Sequence, residues 1–334
     1  MLIFEHPKRG FTALFCIITI TVFLFSYNYS ATTSYFFKFA FRRVEKPVSK
    51  ALCACSQCIS VEDEDPWFMG RFKKSIPPLM SKKNSILSEG TYKWWQRLQT
   101  RPQPAANYKK AVERLFQIIP DKEHYMDSGP NRCRTCAVVG NSGNLKGSNY
   151  GSLIDSNDFV IRMNKAPTSG YEVDVGRRTT HRVMYPESAT NLQNDTHLVL
   201  IPFKILDLQW ISSALSTGSI KYTHMPVMAK IKANKNKVLI YSPTFFKYVF
   251  DTWLERHGKY PSTGFLTLMF SIHICDEVNV YGFGADKRGN WQHYWENTLL
   301  IPGFHHTGQH AGDYEYIVTM LLACKKKIKM FKGR

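Results

Sequence analysis

Apolar residues recur along this chain with two different periods. From residue 136 onward, short runs of Val, Ile, Leu and Met alternate with longer stretches in which apolar and polar positions mix at helical spacing. The pattern predicts strands at 136–140, 158–163, 182–185, 197–202, 237–241 and 278–282. Between them it predicts helices near 147–155, 207–216, 242–257 and 263–276, and another at 311–325. Upstream, 92–99 and 108–119 also read as helices. Such sustained strand–helix alternation predicts an α/β domain around a mostly parallel sheet. Trp94, Trp95 and the aromatic run around Phe245 fall at helical spacing and are expected in the core.

The N-terminus breaks this pattern. After Lys8 and Arg9, residues 11–27 carry no charge, long enough for a short membrane helix. A cleaved signal peptide is the competing reading, but no small-residue cleavage site follows. The expectation is an uncleaved anchor at 11–27, a cytoplasmic tail at 1–10, a lumenal stem at 28–52 and a catalytic domain at 53–334. Lys38, Arg42 and Arg43 lie beyond the span and oppose the positive-inside bias. A span this short suits the thinner membranes of the Golgi.

Composition adds one unusual number, a net charge of +18 over 334 residues. It favours anionic partners: nucleic acid, anionic lipid or a negatively charged substrate. The charge is spread, with no basic block beyond Lys325-Lys326-Lys327 and no zinc-finger or RNP-like spacing, so nucleic acid is disfavoured. Of eight cysteines, Cys16 lies in the span, leaving Cys53, Cys55, Cys58, Cys133, Cys136, Cys275 and Cys324. Cys53, Cys55 and Cys58 resemble three metal ligands, but no fourth follows nearby and an oxidising lumen favours disulfides. Seven is odd, so at least one thiol is free. Asn194 and Asn28 begin glycosylation sequons, the second close to the bilayer.

After the first apolar run comes a glycine-rich turn, Gly140, Gly143 and Gly147. The spacing matches neither a dinucleotide fingerprint nor a P-loop. In a parallel sheet such a turn lies at the carboxyl end of a strand, where ligands bind. Asn141, Ser142 and Asn144 can donate there to ribose, phosphate or carboxylate, and a plain strand-to-helix turn is the competing account. Four further segments carry chemistry: Tyr260-Pro261-Ser262-Thr263-Gly264, Tyr281-Gly282-Phe283-Gly284, His293 to Asn297, and His310 to Glu315.

Together these segments resemble the animal sialyltransferases, which use CMP-sialic acid. The large motif of that family is similar to Cys136–Ser188, and the small motif to Pro261–Gly284. The third resembles His293–Glu296, and the last, a His and a Glu separated by four residues, His310 and Glu315. The resemblance covers roughly 53–334 and is nearest to the α2,3-enzymes acting on Galβ1,3GalNAc. It implies a GT-A-like, Rossmann-related domain, inversion at the anomeric carbon and no divalent metal.

By the same resemblance, Asn141, Ser142 and Asn164 hold the nucleotide and Tyr185 the phosphate side. Gly264 and Gly284 let the backbone approach cytidine and ribose, while Tyr260 and Gln99 face the sugars. His224 stands where relatives carry a second phosphate-facing Tyr. His310 is implied as general base, a task suited to imidazole, and His293 as donor to the phosphate; Glu315 orients or is structural. The implied disulfides are Cys53–Cys58, Cys55–Cys133 and Cys136–Cys275, the last tying the nucleotide loop to the small-motif helix. Sequence alone leaves six cysteines with 15 pairings.

Rival readings stay open at this point. His306 and His310 have the i,i+4 spacing of metal ligands, with Asp313 nearby, and Asp63-Glu64-Asp65 matches a metal clamp in form, though in a solvated acidic run. Trp291 and Trp295 flank His293 and serve either packing or acceptor stacking. An acceptor such as Galβ1,4GlcNAc, a catalytically silent lumenal lectin, and a tethered oxidoreductase are the alternative functions.

Overall fold

Residues rich in β-branched and long aliphatic side chains form seven short strands, each followed or preceded by a helix that covers it. The computed structural model describes residues 53–59, 65–98, 103–286, 289, 292–296 and 309–334. In chain order it begins with helices α1 (Pro66–Arg71), α2 (Glu89–Gln96) and α3 (Ala105–Leu115). Then come β1 (Thr135–Val139), α4 (Gly151–Asp155), β2 (Phe159–Met163), α5 (Glu172–Val175), β3 (His181–Met184) and β4 (His197–Leu200). Next are α6 (Ile205–Ala214), β5 (Val238–Ile240) and α7 (Pro243–Tyr248). Last come α8 (Thr263–Ile274), β6 (Glu277–Tyr281), α9 (Gly312–Cys324) and β7 (Lys329–Phe331). The expected anchor, tail and stem, Gln99, Asn28, His306 and Trp291 lie outside the described residues. Among the described residues no helix is long and apolar enough to cross a membrane.

The sheet runs β5-β4-β3-β2-β1-β6-β7, and every pairing is parallel. Side chains alternate between faces. Cys136, Val138, Val183 and Val199 enter a core with Phe245, Phe265 and Met269 of α7 and α8. Met184, Leu198 and Leu200 point the other way, against Trp95, Leu115 and Trp210 of α2, α3 and α6. Ala137 and Val139 meet Leu145, Ile154 and Tyr294 on that second side. Helices on both faces explain why these strands read as near-continuous apolar runs.

Local signals set the boundaries. Ser88 caps α2 by accepting from Thr91 N at 3.2 Å, which starts the helix before residue 92. The expected helix at 242–257 is α7 followed by a π-helical turn, Val249–Trp253. Trp95 is fully buried and donates its Nε1–H to Pro202 O at 2.9 Å.

Two features depart from expectation. Strand β7 adds a parallel edge beyond β6, with no apolar run to announce it. Asp65 is not simply a solvated acid: its carboxylate caps α1, accepting from Trp67 N and Phe68 N, and pairs with Lys325 at 2.6 Å.

Disulfides join Cys53 to Cys58, Cys55 to Cys133 and Cys136 to Cys275, and Cys324 is an exposed free thiol. Cys136 is the second residue of β1 and Cys275 the C-cap of α8. The bridge therefore fastens the start of the strand. It does not tie the nucleotide loop, which leaves the strand's other end. Asn194 is exposed in the turn before β4.

Candidate active site

The strand order reverses at β1: the chain steps from β1 towards β5, then returns to β1's other side with β6. In open α/β sheets that switch point opens a crevice at the carboxyl ends of the strands. The loops leaving β1 and β6 meet there. Gly140 N donates to Tyr281 O at 2.7 Å and Ser142 N to Gly282 O at 3.1 Å. A Cβ on Gly140 would lie 2.2 Å from Gly282 O, and Gly282 has φ +68°. Both glycines are thus required by the protein's own backbone.

The 292–296 segment pairs with the same loop. Gly143 N donates to Gln292 O at 2.8 Å and Tyr294 N to Asn141 O at 2.9 Å. This brings His293 opposite Ser142. His293 Nδ1 donates to Glu296 Oε1 at 2.7 Å, and its ring stacks on Trp295 at 4.5 Å. Burial works against the Glu296 carboxylate, but the hydrogen bonds from His293 hold it below the usual range.

A cavity of about 900 Å³ opens at this crevice. Its lining includes Asn141, Ser142, Asn164, Tyr185, His224, Tyr260, Gly264, Gly284, His293, His310 and Glu315, so every described residue to which the family resemblance gives a donor, acceptor or catalytic role reaches it. Asn144 does not. It is buried and donates Nδ2–H to Phe283 O at 3.0 Å, bracing the two loops instead of facing a ligand.

The Oδ1 atoms of Asn141 and Asn164 are buried and have no hydrogen-bond partner among the described residues. Leaving such atoms unpaired costs about 1–3 kcal/mol each, a cost that a bound ligand can remove. Asn164 sits in the left-handed region at φ +56°. The Arg182 guanidinium supports that turn, donating to the carbonyls of Asn164, Lys165 and Ala166 at 3.2, 3.3 and 3.1 Å.

An aromatic wall runs Tyr185–Phe203–Tyr260–His310, each ring edge-on to the next with centroids 4.9–5.8 Å apart. Burial raises the Tyr185 phenol, and Glu187 adds to that. His310 Nδ1 donates to Tyr260 O at 3.0 Å, so the neutral ring carries its lone pair on Nε2. Burial lowers the His310 pKa, and the bond to the Tyr260 carbonyl opposes that shift.

Glu315, in the first turn of α9, is buried against the cap of α8. It accepts from Ser262 N at 2.7 Å and from the Ser262 hydroxyl. Burial raises its pKa to about 7, with the Ser262 hydrogen bonds opposing.

Gly264 differs from the loop glycines. A Cβ there would meet nothing closer than 3.6 Å, so the protein itself does not demand glycine. Gly284, at φ +85° and against Tyr316, is constrained by its backbone.

The sequence reading missed Glu187, Lys204 and Phe203, which also line the cavity. Glu187 follows Tyr185 by two positions inside the large motif, the one signal available for it. Among the described residues no group of three His, Cys, Asp or Glu side chains is placed to hold a metal ion.

The family model for glycosyltransferase family 29 (sialyltransferase) matches residues 79–327. The chain is 49% identical over 338 residues to CMP-N-acetylneuraminate-beta-galactosamide-alpha-2,3-sialyltransferase 1 of Gallus gallus, covering 99% of this chain and 98% of that one. It is 53% identical over 283 residues to the protein of the same name from Mus musculus, covering 84% of each. A solved mammalian sialyltransferase in complex with Gal-beta-1-3GalNAc-ortho-nitrophenol superposes with a TM-score of 0.78 at 52% identity. That match spans 84% of this chain and all (100%) of the other. By these matches, and with the family's motifs gathered around one cavity, the chain belongs to glycosyltransferase family 29, the sialyltransferases.

Proposed function

We propose that the protein transfers sialic acid from CMP-sialic acid to the galactose 3-hydroxyl of Galβ1,3GalNAc on O-glycans, with glycolipids as a further acceptor class. The relatives' α2,3-sialyltransferase names and the disaccharide held by the solved neighbour support this acceptor. The observation that carries the chemistry is His310. Its tautomer is set by the Tyr260 carbonyl, and it shares a cavity with the orphaned amide oxygens of Asn141 and Asn164.

In this reading the acceptor hydroxyl oxygen attacks the anomeric carbon of sialic acid and its proton passes to His310 Nε2. The anomeric carbon–phosphate oxygen bond breaks, its electron pair leaves with CMP, and the configuration inverts. His293 donates to the departing phosphate through Nε2 while Nδ1 donates to Glu296. Such a ring carries both protons, and the carboxylate matches the charge. Asn141, Ser142 and Asn164 hold the nucleotide, with Tyr185 and His224 at the phosphate. Gly264 and Gly284 give the donor close backbone approach, and Tyr260 and Gln99 face the sugars.

The reaction proceeds without a divalent ion. Residues 11–27 anchor the chain in the Golgi membrane, 1–10 lie in the cytoplasm, 28–52 form a stem and 53–334 are the lumenal, GT-A-like catalytic domain, with a glycan on Asn194.

The test is transfer of labelled sialic acid by a secreted form lacking residues 1–45, with Galβ1,3GalNAc and Galβ1,4GlcNAc compared in EDTA. Transfer to the first supports the donor, the acceptor and the metal independence of the reaction. Preference for the second overturns the acceptor, a requirement for Mn²⁺ overturns metal independence, and CMP binding without transfer to either overturns the enzymatic reading.

A further inference from the structure

His224 reaches the cavity on a turn that the core does not hold. Tyr222, at 61% relative exposure, and Met225, at 55%, face solvent, and His224 is also exposed. Inside the turn, Thr223 N donates to Met225 O and Val227 N to Lys221 O, both at 3.0 Å. Among the described residues, the hydrogen bonds that fasten 222–226 to the rest of the domain all end on one atom, Glu187 Oε1. It accepts from the Thr223 hydroxyl and from His224 N at 3.2 Å.

Glu187 is itself fixed from the far side. Lys204 Nζ donates to the same oxygen at 3.2 Å and pairs with the fully buried Asp207 at 2.7 Å. Asp207 in turn caps α6, accepting from Phe203 N at 2.8 Å and Lys204 N at 3.2 Å. One carboxylate thus joins three cavity-lining pieces: the Tyr185–Ser188 turn, the start of α6 and the His224 turn. Lys204 has a second task, since an uncompensated carboxylate beside an anionic donor would repel it.

We propose that Glu187 is a positioning residue, a latch that holds the 222–226 turn over the cavity and delivers the His224 imidazole to the phosphate of the nucleotide donor. The inference rests on the donor reading of His224 given above. Without the latch the turn pays for its ordering each time donor binds, so donor affinity falls while His293, His310 and the loop after β1, none of which bonds to the turn, stay in place.

Glu187→Asp keeps the charge but shortens the reach by one methylene. Thr223→Val removes the hydroxyl from the other side and leaves the Glu187–Lys204 pair intact. Both are expected to raise the KM for CMP-sialic acid and the Kd for CMP about tenfold, the scale of a lost charged hydrogen bond. Acceptor KM and kcat at saturating donor should stay within about twofold, because those groups do not depend on the turn. On a His224→Ala background, Glu187→Asp should add little, since the latch then has nothing to deliver.

Unchanged donor KM and CMP Kd in both variants would overturn the latch, even where His224→Ala alone weakens CMP. So would losses that add in full on the His224→Ala background, or a general fall in kcat and melting temperature. A wild-type protein that binds CMP but transfers no sialic acid overturns the enzymatic reading alone, and the CMP affinities still decide the latch.

Discussion

The Tyr260 carbonyl accepts a hydrogen bond from His310 Nδ1 at 3.0 Å, and the two rings meet edge-on at 4.9 Å. One residue thereby sets both the tautomer and the orientation of the imidazole. His310→Ala is expected to lower kcat by about 10²–10⁴, the range for a lost general base, while CMP affinity measured by calorimetry stays near wild type. Because burial lowers the His310 pKa, the neutral base persists below the ordinary histidine value. The acid limb of kcat/KM should therefore fall below about pH 6.5. A variant with near-normal turnover would remove His310 from the role.

Glu315 gives the fold a pH dependence of opposite direction. Its carboxyl is raised to about 7 in the folded protein, mainly by burial, against an ordinary glutamate value when unfolded. A raised folded pKa contributes stability below the unfolded pKa, and that stability is lost as pH rises through the folded one. Urea midpoints should fall between about pH 5 and pH 8, by a free energy on the order of 2–3 kcal/mol. Asp207, raised to about 6 by burial with Lys204 opposing, adds a loss of the same sign lower in that window. Glu315→Gln should remove its own share and keep the Asp207 share; an unchanged pH profile would place the titration elsewhere.

Gly140 and Gly264 separate two uses of glycine. Gly140→Ala places a Cβ 2.2 Å from Gly282 O and should sharply lower the melting temperature. Gly264→Ala meets nothing within 3.6 Å and replaces a glycine in the first turn of α8, so its melting temperature should match or exceed wild type. CMP binding is the discriminating readout for the second variant. Weakened binding with intact stability supports close approach of the donor there, and unchanged binding opposes it.

The Cys136–Cys275 bridge closes a long loop at the start of β1. Replacing both cysteines by Ala should cost about 2–5 kcal/mol of stability in denaturant. CMP affinity measured well below the lowered melting temperature should be unaffected, since the bridge and the cavity occupy opposite ends of the strand. A matching loss of affinity would show the two ends to be coupled.

The six strands between 135 and 281 were legible because both faces of a parallel sheet are covered, which leaves dense apolar runs in the sequence. Strand β7 was not, because Lys329-Met330-Phe331 is a partly exposed edge in a lysine-rich tail, where charge guards the edge and hides the apolar signal. Helix α1 carried a readable start, Asp65 followed by Pro66, but the surrounding acidic run made Asp65 look like solvated charge. The cysteine pairs came from the family resemblance alone, since spacing leaves all 15 pairings open.

Within the site, residue type pointed to Asn141 and Ser142, which line the cavity, and equally to Asn144, whose side chain instead turns inward to a carbonyl 139 residues away. Glu187 escaped notice for a related reason. Its partners Lys204, Thr223 and His224 lie 17, 36 and 37 residues downstream, and no local pattern announces such a node.

The contact between Gly140 and Gly282 has a mechanical meaning for traffic through the enzyme. With no side chain between them, the two wings of the sheet are welded at the switch point and cannot gape like the covers of a book. The floor of the cavity is a fixed seam, and substrates and products must come and go over its rim.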